Sequence, residues 1–110
     1  MPSGRTRRIV SHSIAFSPEA REDLRKLYVD IAVLAEESVA LRYVERIEAY
    51  CRSFAIFPER GARRDDLAPG LRIIGFERRV TLAFHVDATT VVFDRILYGG
   101  RNLAGIFDDD

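Results

Sequence analysis

The sequence predicts an α+β fold in which an N-terminal strand and an antiparallel helical hairpin pack on a mainly antiparallel sheet. Two periods carry this expectation. From Ala20 to Phe54 apolar residues recur every three or four positions, the spacing of a helix face, whereas after Leu71 they alternate or run together as in strands. Helices grouped before a run of antiparallel strands belong to the α+β class. The expected order is β-α-α-β-β-β with a short C-terminal helix.

Residues 1–11 read as a flexible basic arm, with Arg5, Arg7 and Arg8 on a small, polar background, and residues 12–110 as a single domain. In the strand at 12–16, Ile14 and Phe16 point to one face and Ala15 to the other. Ser17-Pro18-Glu19 then starts a helix. Ser17 can cap free N–H groups, Pro18 suits the first helical position, and Glu19 opposes the positive end of the dipole.

This helix is expected to reach about residue 36. Ala20, Leu24, Leu27, Ile31 and Leu34 form its inward face, while Glu22, Asp23, Arg25, Lys26 and Asp30 largely take solvated faces, Glu22 and Lys26 as an i,i+4 pair. Glu36-Glu37-Ser38 marks the break, with Ser38 or a nearby acidic residue as the next cap. The second helix turns Ala40, Tyr43 or Val44, Ile47, Tyr50 or Cys51, and Phe54 inward. It halts at Phe57-Pro58, since proline disfavours helix in the residue before it. So short a link makes the pair an antiparallel hairpin.

Residues 59–70, ERGARRDDLAPG, read as a loop. A short strand at 71–76 connects through Glu77-Arg78-Arg79 to a strand at 80–86. There Val80, Leu82, Phe84 and Val86 share one face, and Thr81, Ala83 and His85 the other. Asp87-Ala88-Thr89 closes a hairpin into the β-branched run that begins at Thr90, expected to be a central strand buried on both faces. Gly99-Gly100 lets the backbone turn out of the sheet. Arg101 follows at once, so a cation is held just past the end of a rigid strand.

Composition bounds the function. No apolar run approaches the roughly 18–20 residues that span a bilayer, and the first residues lack the apolar segment of a signal peptide. Cys51, the one cysteine, excludes an internal disulfide and suits a reducing cytoplasm; beside the inward stripe it reads as a small core residue. Seventeen basic and 17 acidic residues cancel, so no overall field draws the chain onto nucleic acid, and no stable direct nucleic-acid binding is expected of it alone. Lys26 is the only lysine; the arginines that make up the rest of the basic set offer planar forks for carboxylates and phosphates.

Chemistry is narrowed by elimination. His12, His85 and Cys51 show no metal-ligand spacing, and neither a metal nor a cofactor is expected. Ser53, His85 and Asp94 come without a nucleophile elbow, and Gly99-Gly100-Arg101 lacks the lysine and glycine spacing of a phosphate loop. What remains is an arginine-lined sheet. Arg72, Arg78, Arg79, Arg95 and Arg101 fall on or beside the last three strands, joined by His85 and Tyr98. Asp94, Glu77 and the terminal Asp108-Asp109-Asp110 are the expected partners of those arginines that serve structure.

FSPEAREDL, the helical pair closing on FPERGARRDDLAPGLR, and DRILYGGRNLAGIF together resemble the toxins of the RelE/ParE superfamily, the toxin halves of type II toxin–antitoxin modules. The likeness runs from Ile14 to Phe107. It implies a cytoplasmic protein with a cognate antitoxin whose C-terminal segment wraps over the toxin. RelE-like members cleave messenger RNA on the ribosome with lysines, arginines and a C-terminal tyrosine; ParE-like members lack that set and poison DNA gyrase. Against the ribonuclease pattern Arg101 falls on a site arginine, Thr81 replaces the strand arginine, and Phe107 replaces the tyrosine. A phenyl ring cannot exchange a proton, and cleavage needs both a proton acceptor and stabilisation of developing charge.

The tail resembles the ParE ending, in which histidine usually holds the place of Tyr98 and aspartate that of Asn102. The resemblance therefore implies a ParE-like toxin with a ParD-like antitoxin and DNA gyrase as partners, Phe107 joining the arginines, His85 and Tyr98 as target- or antitoxin-binding residues. The alternatives are a ribosome-dependent mRNA endonuclease with a rebuilt site using Arg101 and His85, and an inactive toxin that still binds its antitoxin.

Overall fold

The computed structural model describes residues 11–99 and 103–107. Its elements are β1 (Ser13–Phe16), α1 (Pro18–Leu34), α2 (Glu37–Arg52), β2 (Ala62–Arg63), β3 (Arg72–Phe76), β4 (Val80–Val86), β5 (Thr90–Tyr98) and α3 (Leu103–Phe107), with a 3₁₀ turn at Ser53–Ala55 prolonging α2. One sheet holds the strands in the order β1-β5-β4-β3-β2, β1 running parallel to β5 and every other pair antiparallel. This is the predicted α+β architecture with one strand added. Arg101, and the arm expected over residues 1–11 except Ser11, lie outside the described residues.

The core forms where the helical stripe meets the alternating strand faces. Ala20, Leu24 and Leu27 of α1 and Ile47 and Cys51 of α2 close over Val80, Leu82 and Phe84 of β4 and Val91, Phe93 and Ile96 of β5. Phe54 stands edge-on to both Phe84 and Phe93, at centroid distances of 5.0 and 5.2 Å, a geometry favoured by the ring quadrupoles. Burial pushes the Cys51 thiol up to about 12, so it is an inert core group.

Four local expectations change. Leu34, read as inward, is 86% exposed, because Tyr98 ends β5 beside Ile31 and the last turn of α1 outruns the sheet. Ser38 does not cap α2. Its hydroxyl pairs with Glu36 Oε1 at 3.0 Å, and Glu36 occupies the cap position without a side-chain cap bond. Glu22 pairs with Arg25 rather than Lys26. The charged loop at 59–70 contains β2, a two-residue strand too short to show a period.

The strand read as central is second from an edge, and it is not uniformly apolar. Ala83 pairs with Arg95 while Phe84 pairs with Phe93, which leaves Asp94 as the extra residue of a bulge. The bulge shifts the alternation by one, so Ile96 continues the core face begun by Val91 and Phe93. The β3–β4 connection lies where predicted, with Glu77 and Arg78 both at positive φ, 51° and 66°. Such turns match the twist of the flanking strands but are strained for residues with side chains.

Gly61, before β2, tests how that strand is held. Its φ is +74°, and a Cβ there would collide with the Ile73 carbonyl and approach Ile74 Cβ to 3.1 Å. Gly70 has nearly the same φ, +75°, but open space where its Cβ would lie. Gly70→Ala should cost about 1 kcal/mol from left-handed strain alone. Gly61→Ala should cost about 2 to 3 kcal/mol, since strain and a backbone collision combine. Urea denaturation of the two variants checks the order; equal losses would mean that the Ile73 contact yields freely.

Candidate functional site

The start of α1 is fastened to the bulge of β5, and this junction organises one half of the candidate residues. Ser17 N–H donates to the Phe93 carbonyl at 3.0 Å, and its hydroxyl donates to the Asp94 carbonyl at 2.8 Å. The same hydroxyl oxygen accepts from Ala20 N–H at 2.9 Å as the helix cap. One turn later Asp23 turns inward. Its carboxylate accepts from Arg95 Nε and Nη2 at 2.8 and 2.9 Å and from Ile96 N–H at 2.8 Å. Asp23 is therefore not on the solvated face, and Arg95 pairs with it rather than with Asp94.

Asp94 pairs instead with His85, Oδ2 to Nδ1 at 2.8 Å across neighbouring strands. Burial raises the Asp94 carboxyl above its ordinary range, against the lowering effect of the His85 contact. A depression of about 380 Å³ beside this pair is walled by Glu19, Leu71 and Arg95 and closed by Ile106 and Phe107 of α3. His85, Arg95 and Phe107 thus meet in one place. Ser53 is elsewhere, donating to the Tyr50 carbonyl and accepting from Arg60, so no Ser/His/Asp constellation forms with it.

A second group gathers at the other end of β5. Tyr98 takes a long hydrogen bond, 3.4 Å, from Arg79 Nη1, and Arg78 lies beside it at the β3–β4 turn. Three α2 residues absent from the predicted set complete this end: Arg42, Tyr43 and Arg46 share a depression of about 390 Å³ with Arg79 and Tyr98. Arg46 forms a bidentate pair with Glu77, at 3.1 and 2.8 Å, and lies over the Tyr43 ring at 4.9 Å. The legible signal was Arg42 and Arg46 at i,i+4, which share a helix face. Arg72 joins neither group; it donates to the Arg60 carbonyl at 3.2 Å.

No described helix is long and apolar enough to cross a membrane. Among the described residues no group of three or more His, Cys, Asp or Glu is placed to hold a metal ion.

Residues 14–103 match the family described as the ParE toxin of the type II toxin–antitoxin system parDE. Over 82 residues the chain is 34% identical to Toxin ParE3 of Caulobacter vibrioides, a match that covers 74% of this chain and 81% of that protein. A chain of the chromosomal ParDE toxin–antitoxin system from P. aeruginosa superposes with a TM-score of 0.71 at 25% identity, covering 82% of this chain and 98% of that one. A chain of the RelBE2 toxin–antitoxin complex from Mycobacterium tuberculosis gives 0.62 at 23% identity, covering 83% and 94%, a likeness of fold.

Asp23→Ala should destabilise the domain by about 3 kcal/mol, because it strands the Arg95 charge and the Ile96 N–H together. A urea midpoint within error of the parent would show that water replaces the carboxylate. Asp94 gives a pH signature. Its pKa is raised on folding, so its contribution to stability is fully present below its unfolded value and is lost as pH rises through its folded value. Stability measured upward from the ordinary aspartate range should fall less steeply in Asp94→Asn than in the parent; parallel profiles would assign the slope to other groups.

Proposed function

The chain belongs to the ParE toxin family of type II toxin–antitoxin systems, and from that premise we infer that it arrests growth by poisoning DNA gyrase and is neutralised by a cognate ParD-like antitoxin. It acts in the cytoplasm as a binding protein and catalyses nothing itself. The observation that carries this reading is the content of the depression under α3. A phosphodiester-cleaving site needs a proton-exchanging group and cations free to meet developing charge. Here His85 is the one ring able to exchange a proton, Phe107 supplies a bare ring, Glu19 and Asp94 add acidic groups, and Arg95 is committed to Asp23, so among the described lining residues no cation is free to meet developing charge. Protein docking has better support, since Val33, Leu34 and Leu41 on the helical hairpin are 78%, 86% and 49% exposed.

One contact favours a second reading. Asp94 holds His85 through Nδ1, which leaves Nε2 as a candidate base for cleavage of mRNA on the ribosome.

Purified protein incubated with gyrase, supercoiled plasmid and ATP should yield linear DNA after detergent and protease. Unchanged supercoiling with folded protein sinks the gyrase reading, and new 5′ ends in cellular mRNA, mapped by primer extension, would establish the second. Arg101→Ala should weaken toxicity or antitoxin affinity with an unchanged circular dichroism spectrum. Parent-like growth arrest together with parent-like antitoxin affinity would remove Arg101 from the site.

A further inference from the structure

The turn joining β3 to β4 is strained at two residues that carry long side chains. Arg79 N–H closes it on the Phe76 carbonyl at 3.2 Å, and the residues between them, Glu77 and Arg78, have φ of 51° and 66°. Glycine or asparagine usually fills such positions, because a side chain at positive φ crowds the backbone. Neighbouring elements keep this turn in place. Arg46 of α2 holds Glu77 by a bidentate pair at 2.8 and 3.1 Å, and the Arg79 carbonyl accepts from Gly99 N–H at 2.8 Å. Strain maintained by surrounding contacts gathers at sites that present a group to a partner. The group presented here is the Arg78 guanidinium.

The surface around the turn has an excess of cations. Arg78, Arg79 and Tyr98 wall a depression of about 520 Å³, and Arg79 and Tyr98 also wall the adjoining one, where Arg42 and Arg46 lie. Among the described residues Glu77 is the one carboxylate lining either depression, and Arg46 holds it. Arg42 and Arg78 have neither a hydrogen bond nor an ion pair among the described residues, and Arg79 has only its 3.4 Å bond to the Tyr98 hydroxyl. Tyr98 accepts that bond, so its own O–H is left to donate. Arg42, Arg79 and Arg78 therefore form a row of donors across two hollows that share Arg79. A row of separated guanidinium groups fits the repeated phosphates of a nucleic-acid strand better than a single anion, and such contacts carry no sequence preference.

We propose that the β3–β4 turn, with Arg42 beside it, is a phosphate-binding edge that grips the DNA duplex held by gyrase. The proposal rests on the gyrase reading and names the second partner at that target. Arg78 and Arg79 bond to phosphate oxygens, Arg42 extends the row, and the Tyr98 hydroxyl adds a further donor. Three free cations on a chain of zero net charge give weak, salt-labile contact, in keeping with the absence of stable nucleic-acid binding expected of the chain alone. Gyrase supplies the duplex at high local concentration, which makes weak contacts count. The depression under α3 offers no such row, since its arginine is committed to Asp23.

The test titrates a fluorescent duplex of arbitrary sequence with the full chain at several low salt concentrations. Log affinity should fall against log salt with a slope of about −3, roughly one phosphate for each free arginine. Arg42→Gln and Arg79→Gln should each weaken binding about three-fold or more at the lowest salt and make the slope shallower by about one. Arg78→Gly is the sharper variant. By relieving the turn it should raise the urea midpoint, yet it should lose affinity and slope as the other two do. Arg63→Gln removes an equal charge, paired with Asp65 on β2, and should leave binding unchanged. A slope near zero, no binding at the lowest salt, or an equal loss in Arg63→Gln would each overturn the proposal. Displacement of the duplex by polyglutamate at matched charge would also overturn it, assigning the row to an acidic protein surface. The gyrase assay on the same preparations separates the two claims: duplex binding through the row without DNA cleavage removes only the gyrase reading, and equal cleavage by the parent and Arg78→Gly removes only the phosphate-binding edge.

Discussion

The carboxylate of Asp23 and the hydroxyl of Ser17 tie one end of α1 to β5, and much of the rest depends on that tie. A helix lying on a sheet is free to slide or rotate while only apolar contacts hold it, because hydrophobic attraction has no direction. Directed bonds remove that freedom. Ser17 bonds the backbone on both sides of the bulge, and Asp23 takes three donors from Arg95 and Ile96. With the helix fixed in phase, Ala20, Leu24 and Leu27 must face the strands, and α2 is carried onto the remaining core by its short link.

The same junction sorts the arginines. Arg95 is drawn into structure because a carboxylate is presented to it at bidentate distance. Arg60 is used in the same manner, its guanidinium 4.4 Å from the Phe54 ring centre and bonded to the Phe57 and Ser53 carbonyls. Arg42 and Arg78 are left to solvent at the end of the molecule where α1 outruns the sheet. Net neutrality of the chain therefore hides a local imbalance of charge.

The bulge at Asp94 shows why a strand can be located without being understood. The apolar run ending at Tyr98 was legible, and its limits agree with the fold. What alternation could not reveal was the extra residue, since a bulge changes the phase of side chains without changing composition. It brings the Asp94 carboxylate onto His85, a pairing of residues nine apart that strict alternation in sequence does not predict. Likewise β2 left no trace in the sequence, because two exposed residues carry no period and are held by backbone pairing to β3.

By itself the sequence determined the order and type of the principal elements, the inward faces of both helices except at Leu34, the core role of Cys51 and the toxin family. The first three are set by local spacing, and the family by three segments that resemble it together; none of them needs knowledge of which distant residues touch. Only the tertiary structure decided which charges were structural and which were free. Asp23 and Arg95 are 72 residues apart in the chain, and Tyr98 meets Arg42 only because a helical hairpin is laid over the end of a strand. Whether an arginine is neutralised depends on which carboxylate folding brings within about 3 Å of it, and no period in a sequence encodes that distance.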